Sequence, residues 1–268
     1  MIDLDAYFDR IGYAGPVEPT LDVLRALHLL HPAAIPFENI DVLLGHGIDL
    51  DPAAIDEKLI HARRGGYCFE QNNLFERVLT EIGFEVEGLI GRVLWMAPPD
   101  APAPPRTHRA LKVHIGGETW LADVGFGGAV LTAPLRWVMD EVQQTPHEPF
   151  RLTQVGREVL LETKLEEWTP VYRLSGETPE PIDYEVGNWF TSTNPSSKFR
   201  QVLMVARTTP EARYALLNNR LTVRPVGQPA ERQNLEIEEL TYALPEFFGL
   251  AVGEDWAETL AWVVEQGA

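Results

Sequence analysis

The sequence predicts an α+β protein that is helical at the start, strand-rich in the middle and mixed at the end. Three changes of pattern lead there. Apolar residues recur at helical spacing up to about residue 85; from about Val86 they alternate or form β-branched runs; from about Asn194 a strand-like run precedes a helical one. No low-complexity linker or internal repeat separates these stretches. The expected division is therefore a helical region over 1–85, a β region over 86–193 and an α/β region over 194–268.

Each element has a local reason. In "PTLDVLRALHLLHP", Leu21, Leu24, Leu27 and Leu30 share a helical face, with Thr20 as cap and Pro32 as the expected stop. "DPAAIDEKLI" starts a helix with Asp51 as cap and Pro52 at the first helical position. "CFEQNNLFERVLTEIGF" puts Cys68, Gln71, Phe75, Val78 and Ile82 on one face, and Gly83 ends it. The expected strands are "VEGLIGRVLWM", "RALKVHI", "TWLADVGF", "EPFRLTQV" and "EVLLETK", spaced as in a meander or small barrel. Near the end, "RLTVRPV" reads as a strand. "DWAETLAWVVEQG" reads as a helix with Trp256, Leu260 and Val263 aligned.

Composition narrows the function. A chain of 268 residues, 45% hydrophobic, can bury a substantial core. The N-terminus lacks a basic start followed by an apolar run, and no uncharged apolar stretch approaches the roughly 18 residues of a membrane span. A cytoplasmic location is expected, with no membrane partner. A net charge of −18 argues against general affinity for nucleic acid, so an anionic ligand needs a local basic or backbone-amide site. One cysteine makes neither an internal disulfide nor a thiolate metal site. His28 and His31 stand at i, i+3 on a helix without an evident third ligand, so no metal is expected.

That leaves Cys68, in "RRGGYCFEQNN", as a nucleophile or a small core side chain. Gly65 and Gly66 let the chain turn, placing the thiol in the first turn of a helix, where backbone N–H groups favour an anion. Arg63 and Arg64 are expected to add positive field, a setting that favours a thiolate. Glu38 either pairs with Arg64 or stands as a plain surface acid.

A thiol nucleophile needs a base and an orienting group. In "RTHRALKVHIGGETWLADVGFGG" the Gly116-Gly117 dipeptide suits a two-residue hairpin turn. That turn pairs Ile115 with Glu118, His114 with Thr119, Ala110 with Asp123 and His108 with Gly125. His108 and Asp123 then become diagonal neighbours on one face, roughly 7–8 Å apart at the backbone. His114 faces Thr119 instead, about 13 Å from Asp123 along the strand. A three-residue loop would shift the register and turn His108 to the opposite face. Singly, Asp123 also reads as the start of a turn and His108 as an exposed strand end; together with Cys68 they form a recurrent catalytic set.

"IPFENIDVLLG", "RRGGYCFEQN", "THRALKVHI" and "WLADVGFGG", in this order and spacing, resemble the arylamine N-acetyltransferase family. The resemblance extends from "LDAYFDRIGYAGPVEPTLDVLRALH" to "NWFTSTNPSSKF", roughly the first 200 residues, and is weaker beyond. It implies a cysteine-protease-like, papain-type core made of a helical bundle, a β-barrel and an α/β lid. It also implies ping-pong transfer of an acetyl group from acetyl-CoA through a Cys68 thioester to arylamines, hydrazines or N-hydroxyarylamines. His108 is then the base and Asp123 its orienter. Acetyl-CoA is a cosubstrate, and no permanently bound cofactor is expected.

The resemblance further assigns Phe126, Phe37, Val93 and Phe199 to an apolar acceptor pocket, each with a core-packing alternative. Thr107, Gly127 and Gly128 lie beside the triad where CoA could approach. "VGFGG" lacks the strand-then-helix context of a dinucleotide loop. The Cys68 N–H is the expected first oxyanion donor. The run Pro98 to Pro105, with five prolines, is read as a stiff surface loop near the pocket mouth rather than a linker, because the triad straddles it. Three other readings share these features: an amide synthase closing a macrolactam from a carrier-bound acyl chain, a cysteine protease or transglutaminase, and a non-catalytic binding module. Neither the oligomeric state nor the preferred acceptor is legible.

Overall fold

The computed structural model describes residues 2–98 and 100–267; Pro99, within the proline-rich run, lies outside the described residues. Helix α1 (Leu4–Ile11) is capped by the Asp3 carboxylate, which accepts the Ala6 N–H at 3.0 Å. Helix α2 (Leu21–Ala34) begins, as expected, with Thr20 accepting the Val23 N–H. Pro32 does not stop it. A proline forfeits its own N–H, here the one aimed at the His28 carbonyl, and its ring crowds that carbonyl, yet the next turn still closes, with the Ile35 N–H reaching the His31 carbonyl at 2.8 Å.

Strand β1 (Phe37–Glu38) and helix α3 (Ile40–Leu44) follow. Helix α4 (Pro52–Asp56) is capped by Asp51 as expected, then widens into a π-helical turn over Glu57–His61. Helix α5 (Cys68–Ile82) starts at the cysteine and ends at Gly83, in the left-handed region at φ 105. The side chains of Tyr7, Leu24, Leu27, Leu59, Phe75 and Val78 form the core of this helical region.

Seven antiparallel strands come next: β2 (Glu85–Val93), β3 (Arg106–Ile115), β4 (Glu118–Ala122), β5 (Leu135–Arg136), β6 (Phe150–Val155), β7 (Glu158–Lys164) and β8 (Trp168–Leu174). Their order is β5-β4-β3-β2-β8-β7-β6. Bridges from Met139 to Leu152 and from Gln143 to Phe150 join the segment after β5 to β6, so the sheet's ends meet and it curls into a near-closed barrel. The β3–β4 turn takes the expected two-residue form at Gly116-Gly117, pairing Ile115 with Glu118 and His114 with Thr119. The ladder ends at Leu111 with Ala122, so the expected Ala110–Asp123 and His108–Gly125 pairs are not formed. Beyond Ala122 the Asn72 side chain of α5 comes between the strands: it donates to the Arg109 carbonyl and accepts the Val124 N–H, the two groups that the next hydrogen-bonded pair of the ladder would join.

Helix α6 (Pro181–Thr193) precedes strands β9 (Met204–Thr208), β10 (Ala212–Leu217), β11 (Arg220–Pro225) and β12 (Glu231–Asn234), then helices α7 (Ile237–Phe248) and α8 (Ala257–Gln266). These strands form a second sheet in the order β1-β9-β10-β11-β12. Its first strand comes from far upstream: Phe37 pairs with Ala206 and Glu38 with Val205. Ile40 likewise joins the core of this last region beside Leu203, Leu240 and Phe248. The α-then-β-then-α/β order of an α+β chain is what the sequence predicts. Among the described residues no helix is long and apolar enough to cross a membrane, and no cluster of three His, Cys, Asp or Glu side chains could hold a metal.

Candidate active site

Cys68 is the first residue of α5, 4% exposed. The first amides of a helix have no acceptor within it, so N–H groups crowd this point. Gly65 and Gly66 serve a different purpose from the expected sharp turn. Neither has positive φ; the left-handed residue is Arg63, at φ 54. What the glycines provide is room: a Cβ at Gly65 would press on the Pro36 carbonyl, and one at Gly66 would lie 2.7 Å from the Glu70 carboxylate.

That carboxylate holds the helix start. Glu70 accepts the Tyr67 N–H at 2.9 Å and the Lys58 ammonium at 2.7 Å, and Lys58 also reaches Asp41 at 2.7 Å. Burial disfavours the charge on Lys58, but the carboxylates of Glu70, Glu38 and Asp41 outweigh it and raise its pKa. Arg64 pairs with Glu38 at 2.7 Å and with Asp41 at 3.0 Å. Glu38 is thus Arg64's partner rather than a surface acid. Arg64 is spent on these acids and Arg63 is exposed, so neither supplies the expected field at the sulfur.

The positive group facing Cys68 is His108. Its Nε2 lies 2.7 Å from Asp123 Oδ2, and both side chains are buried. Burial opposes a charge on His108, yet the Asp123 charge and hydrogen bond, with a further hydrogen bond to Cys68, push its pKa up to about 10. Asp123 resists burial through the same contact and moves below the usual carboxylate range. The imidazole therefore stays protonated at neutral pH, the counter-charge a thiolate requires. When it carries its proton, the Cys68 thiol can instead donate to the Thr107 carbonyl, 3.4 Å away. Cys68, His108 and Asp123 thus come together as the hairpin argument expects, although through a turn rather than a ladder pair.

Three residues that the sequence reading missed hold this set. Asn72, at i+4 from Cys68 on the buried face of α5, donates to Asp123 Oδ1 at 2.9 Å and to the Arg109 carbonyl at 2.7 Å. Its own oxygen accepts the Val124 N–H at 3.1 Å. The same Asp123 oxygen accepts the Gly125 N–H at 2.9 Å. His28 accepts the Asp123 N–H at 3.0 Å, and Tyr172 lays its ring 4.6 Å from that of His108. A polar residue on an apolar helix stripe was the available signal for Asn72; nothing local marks Tyr172. Gly125 is a further requirement, since a Cβ there would lie 2.8 Å from the Cys68 Cα.

Aromatic side chains gather beside the triad. Phe126 stands edge-on to His108 at 5.2 Å, with Trp95 6.4 Å beyond it. Phe199 lies 5.6 Å from Tyr67 and 6.1 Å from Phe37. Val93 sits one strand back, paired with Tyr172. Gly127 approaches Phe37 closely, and Gly128 faces Ala215 of β10.

A family model described as N-acetyltransferase matches residues 20–257. The chain is 46% identical to an arylamine N-acetyltransferase of Escherichia coli (strain K12) over 254 residues, covering 94% of this chain and 90% of that one. It is 44% identical over 254 residues to a Salmonella typhimurium protein named arylamine N-acetyltransferase / N-hydroxyarylamine O-acetyltransferase, with the same coverage. Among solved structures, the Mycobacterium marinum arylamine N-acetyltransferase in complex with CoA superposes with a TM-score of 0.93 at 42% identity, covering 98% of this chain and 99% of that one.

Proposed function

This chain belongs to the arylamine N-acetyltransferase family, and from that membership we propose that Cys68 carries an acetyl group from acetyl-CoA to an arylamine, with His108 and Asp123 as its partners. The protein is an acyltransferase of papain-like α+β fold. The observation that carries the residue assignment is the 2.7 Å His108–Asp123 contact beside a buried thiol.

In the first half-reaction the Cys68 thiolate attacks the thioester carbonyl, the new C–S bond forms, and the bond to the CoA sulfur breaks. His108 gives its proton to the departing CoA thiolate. One thioester replaces another, so this step is nearly isoenergetic. In the second half-reaction a neutral aromatic amine attacks the acetyl-cysteine, His108 takes its proton, and the Cys68 thiolate leaves. The Cys68 N–H is the first oxyanion donor.

Phe37, Val93, Phe126 and Phe199 form the acceptor pocket in this reading, with Trp95 beside Phe126. Thr107, Gly127 and Gly128 are where CoA approaches. The Salmonella relative's name supports N-hydroxyarylamines as acceptors, at oxygen, alongside arylamines, and hydrazines likewise offer a neutral nucleophilic nitrogen. Acetyl-CoA serves as cosubstrate with no resident cofactor, in the cytoplasm. The working division is 1–85, 86–193 and 194–268.

Mixing the protein with acetyl-CoA and mapping the product by mass spectrometry tests the reading. An acetyl adduct confined to Cys68, discharged by an arylamine and absent in Cys68→Ser, is expected, because an alcohol is far less acidic than a thiol. Peptide cleavage without an adduct, or near wild-type turnover by Cys68→Ser, would overturn it.

A further inference from the structure

Helix α2 carries His28 and His31 one turn apart, about 4.5 Å along the axis, and both side chains are fully buried. Both pack edge-on to the Phe75 ring, at 5.9 and 5.5 Å. An apolar side chain would fill that space without the cost of burying a polar ring. What the histidines supply is directed hydrogen bonds: His28 to the backbone of Asp123, and His31 to Gln71, whose amide holds the turn before Cys68.

The proton on each ring follows from its partners. Gln71 Nε2 donates to the carbonyls of Pro36 at 2.9 Å and Gly66 at 3.1 Å, so Gln71 Oε1 faces His31 Nε2 as an acceptor, at 2.6 Å. His31 Nε2 therefore carries the proton, and its Nδ1 accepts from the Tyr7 hydroxyl at 2.8 Å. Gly66 lies two residues before Cys68, so this chain of bonds ends on the turn that delivers the nucleophile. At His28 the roles reverse: Nε2 accepts the Asp123 N–H, which leaves the proton on Nδ1. The Asp123 N–H points away from β3, on the edge of the chain that β5 covers only as far as Leu121, so His28 is the acceptor that serves it there.

Both rings are held neutral. Burial lowers the His28 pKa to about 4 against the raising effect of Asp123. Burial lowers that of His31 to about 3, with the Gln71 bond opposing and His28 and Arg10 assisting.

We propose that His28 and His31 are positioning residues: α2 ties the turn entering Cys68, through Gln71, and the backbone of Asp123 to adjacent turns of one helix, and so sets their spacing. This rests on the triad reading above. Acetylation of the wild type at Cys68 tests that reading; comparison among His28 variants tests this one.

Two measurements decide it. In the 15N spectrum of the wild type at pH 7, His28 should appear as the neutral Nδ1–H tautomer and His31 as the neutral Nε2–H tautomer. His28 in its Nε2–H or charged form would overturn the proposal. In single-turnover acetylation, folded His28→Leu should lose about 10- to 100-fold in rate at saturating acetyl-CoA, the effect of a small misplacement of reacting groups, with KM unchanged. His28→Gln keeps an acceptor and should recover most of the rate. His28→Leu reacting at the wild-type rate, or Leu and Gln impaired alike, refutes a positioning role. If His28→Leu does not fold, the wild-type spectrum and the rate of His28→Gln decide, with a Gln rate below about a tenth of wild type counting against it.

Discussion

Asp123→Asn isolates the electrostatics of the site with almost no change of shape. Asp123 Oδ1 accepts from both the Asn72 amide and the Gly125 N–H, while Oδ2 alone faces His108. An asparagine must keep its oxygen where the two donors are, which turns its NH2 toward His108 Nε2. The imidazole then has to accept there, so its one remaining proton sits on Nδ1 and the ring is neutral. The charge that raised His108 to about 10 against burial is gone as well. Both changes leave the Cys68 sulfur without a counter-ion.

Loss of the orienting carboxylate in such triads is on the order of 10⁴-fold in rate, about 5 kcal/mol of activation free energy. The assay is rapid-quench acetylation of Cys68 at saturating acetyl-CoA, with circular dichroism and Tm as fold controls. Because the substitution removes a buried charge and keeps all three bonds, the one to His108 with its direction reversed, the fold should persist. A folded Asp123→Asn protein that acetylates within about tenfold of wild type would mean that His108 does not depend on Asp123.

Arg64→Gln removes the cation paired directly with the fully buried Glu38 carboxylate; it should cost about 3 kcal/mol and lower Tm in thermal melts. Gly125→Ala sets a methyl against the Cys68 backbone. It should cost about 1–3 kcal/mol and reduce acetylation about 10²-fold, measured as Tm and single-turnover rate. The ion pair also sets a pH dependence. The folded His108 pKa is raised from 6.5 to about 10, so its stabilisation is full below pH 6.5 and fades as pH rises through about 10. The Tm advantage of wild type over His108→Gln should accordingly shrink over that window; an advantage that grows with pH contradicts the assignment.

Much of the site was legible because its signals are local. The Gly116-Gly117 turn set the hairpin register, and register alone separated His108 from His114, which bonds Thr119 as expected. Asp51, Thr20 and Gly83 marked helix ends through bonds made within a few residues. Other expectations failed where a distant group intervened. Arg64 reads as a field source beside Cys68 until Glu38 and Asp41 claim it. "TWLADVGF" reads as one strand until Asn72, from a helix far upstream, comes between the Arg109 carbonyl and the Val124 N–H.

From its sequence alone the chain specifies a thiol at a helix start and a histidine and aspartate near each other after one hairpin. Both follow from short-range backbone geometry. Tertiary structure decided what those groups are chemically. The Asp123 carboxylate, bonded directly to His108, outweighs burial and charges it, whereas burial prevails at His28 over the same carboxylate and at His31 over its Gln71 bond, and keeps both neutral. It also decided that Phe37 and Glu38, at the edge of the helical region, become a strand of the last sheet. Charge state and strand partnership depend on what the fold brings alongside, and neighbours remote in sequence leave no local trace.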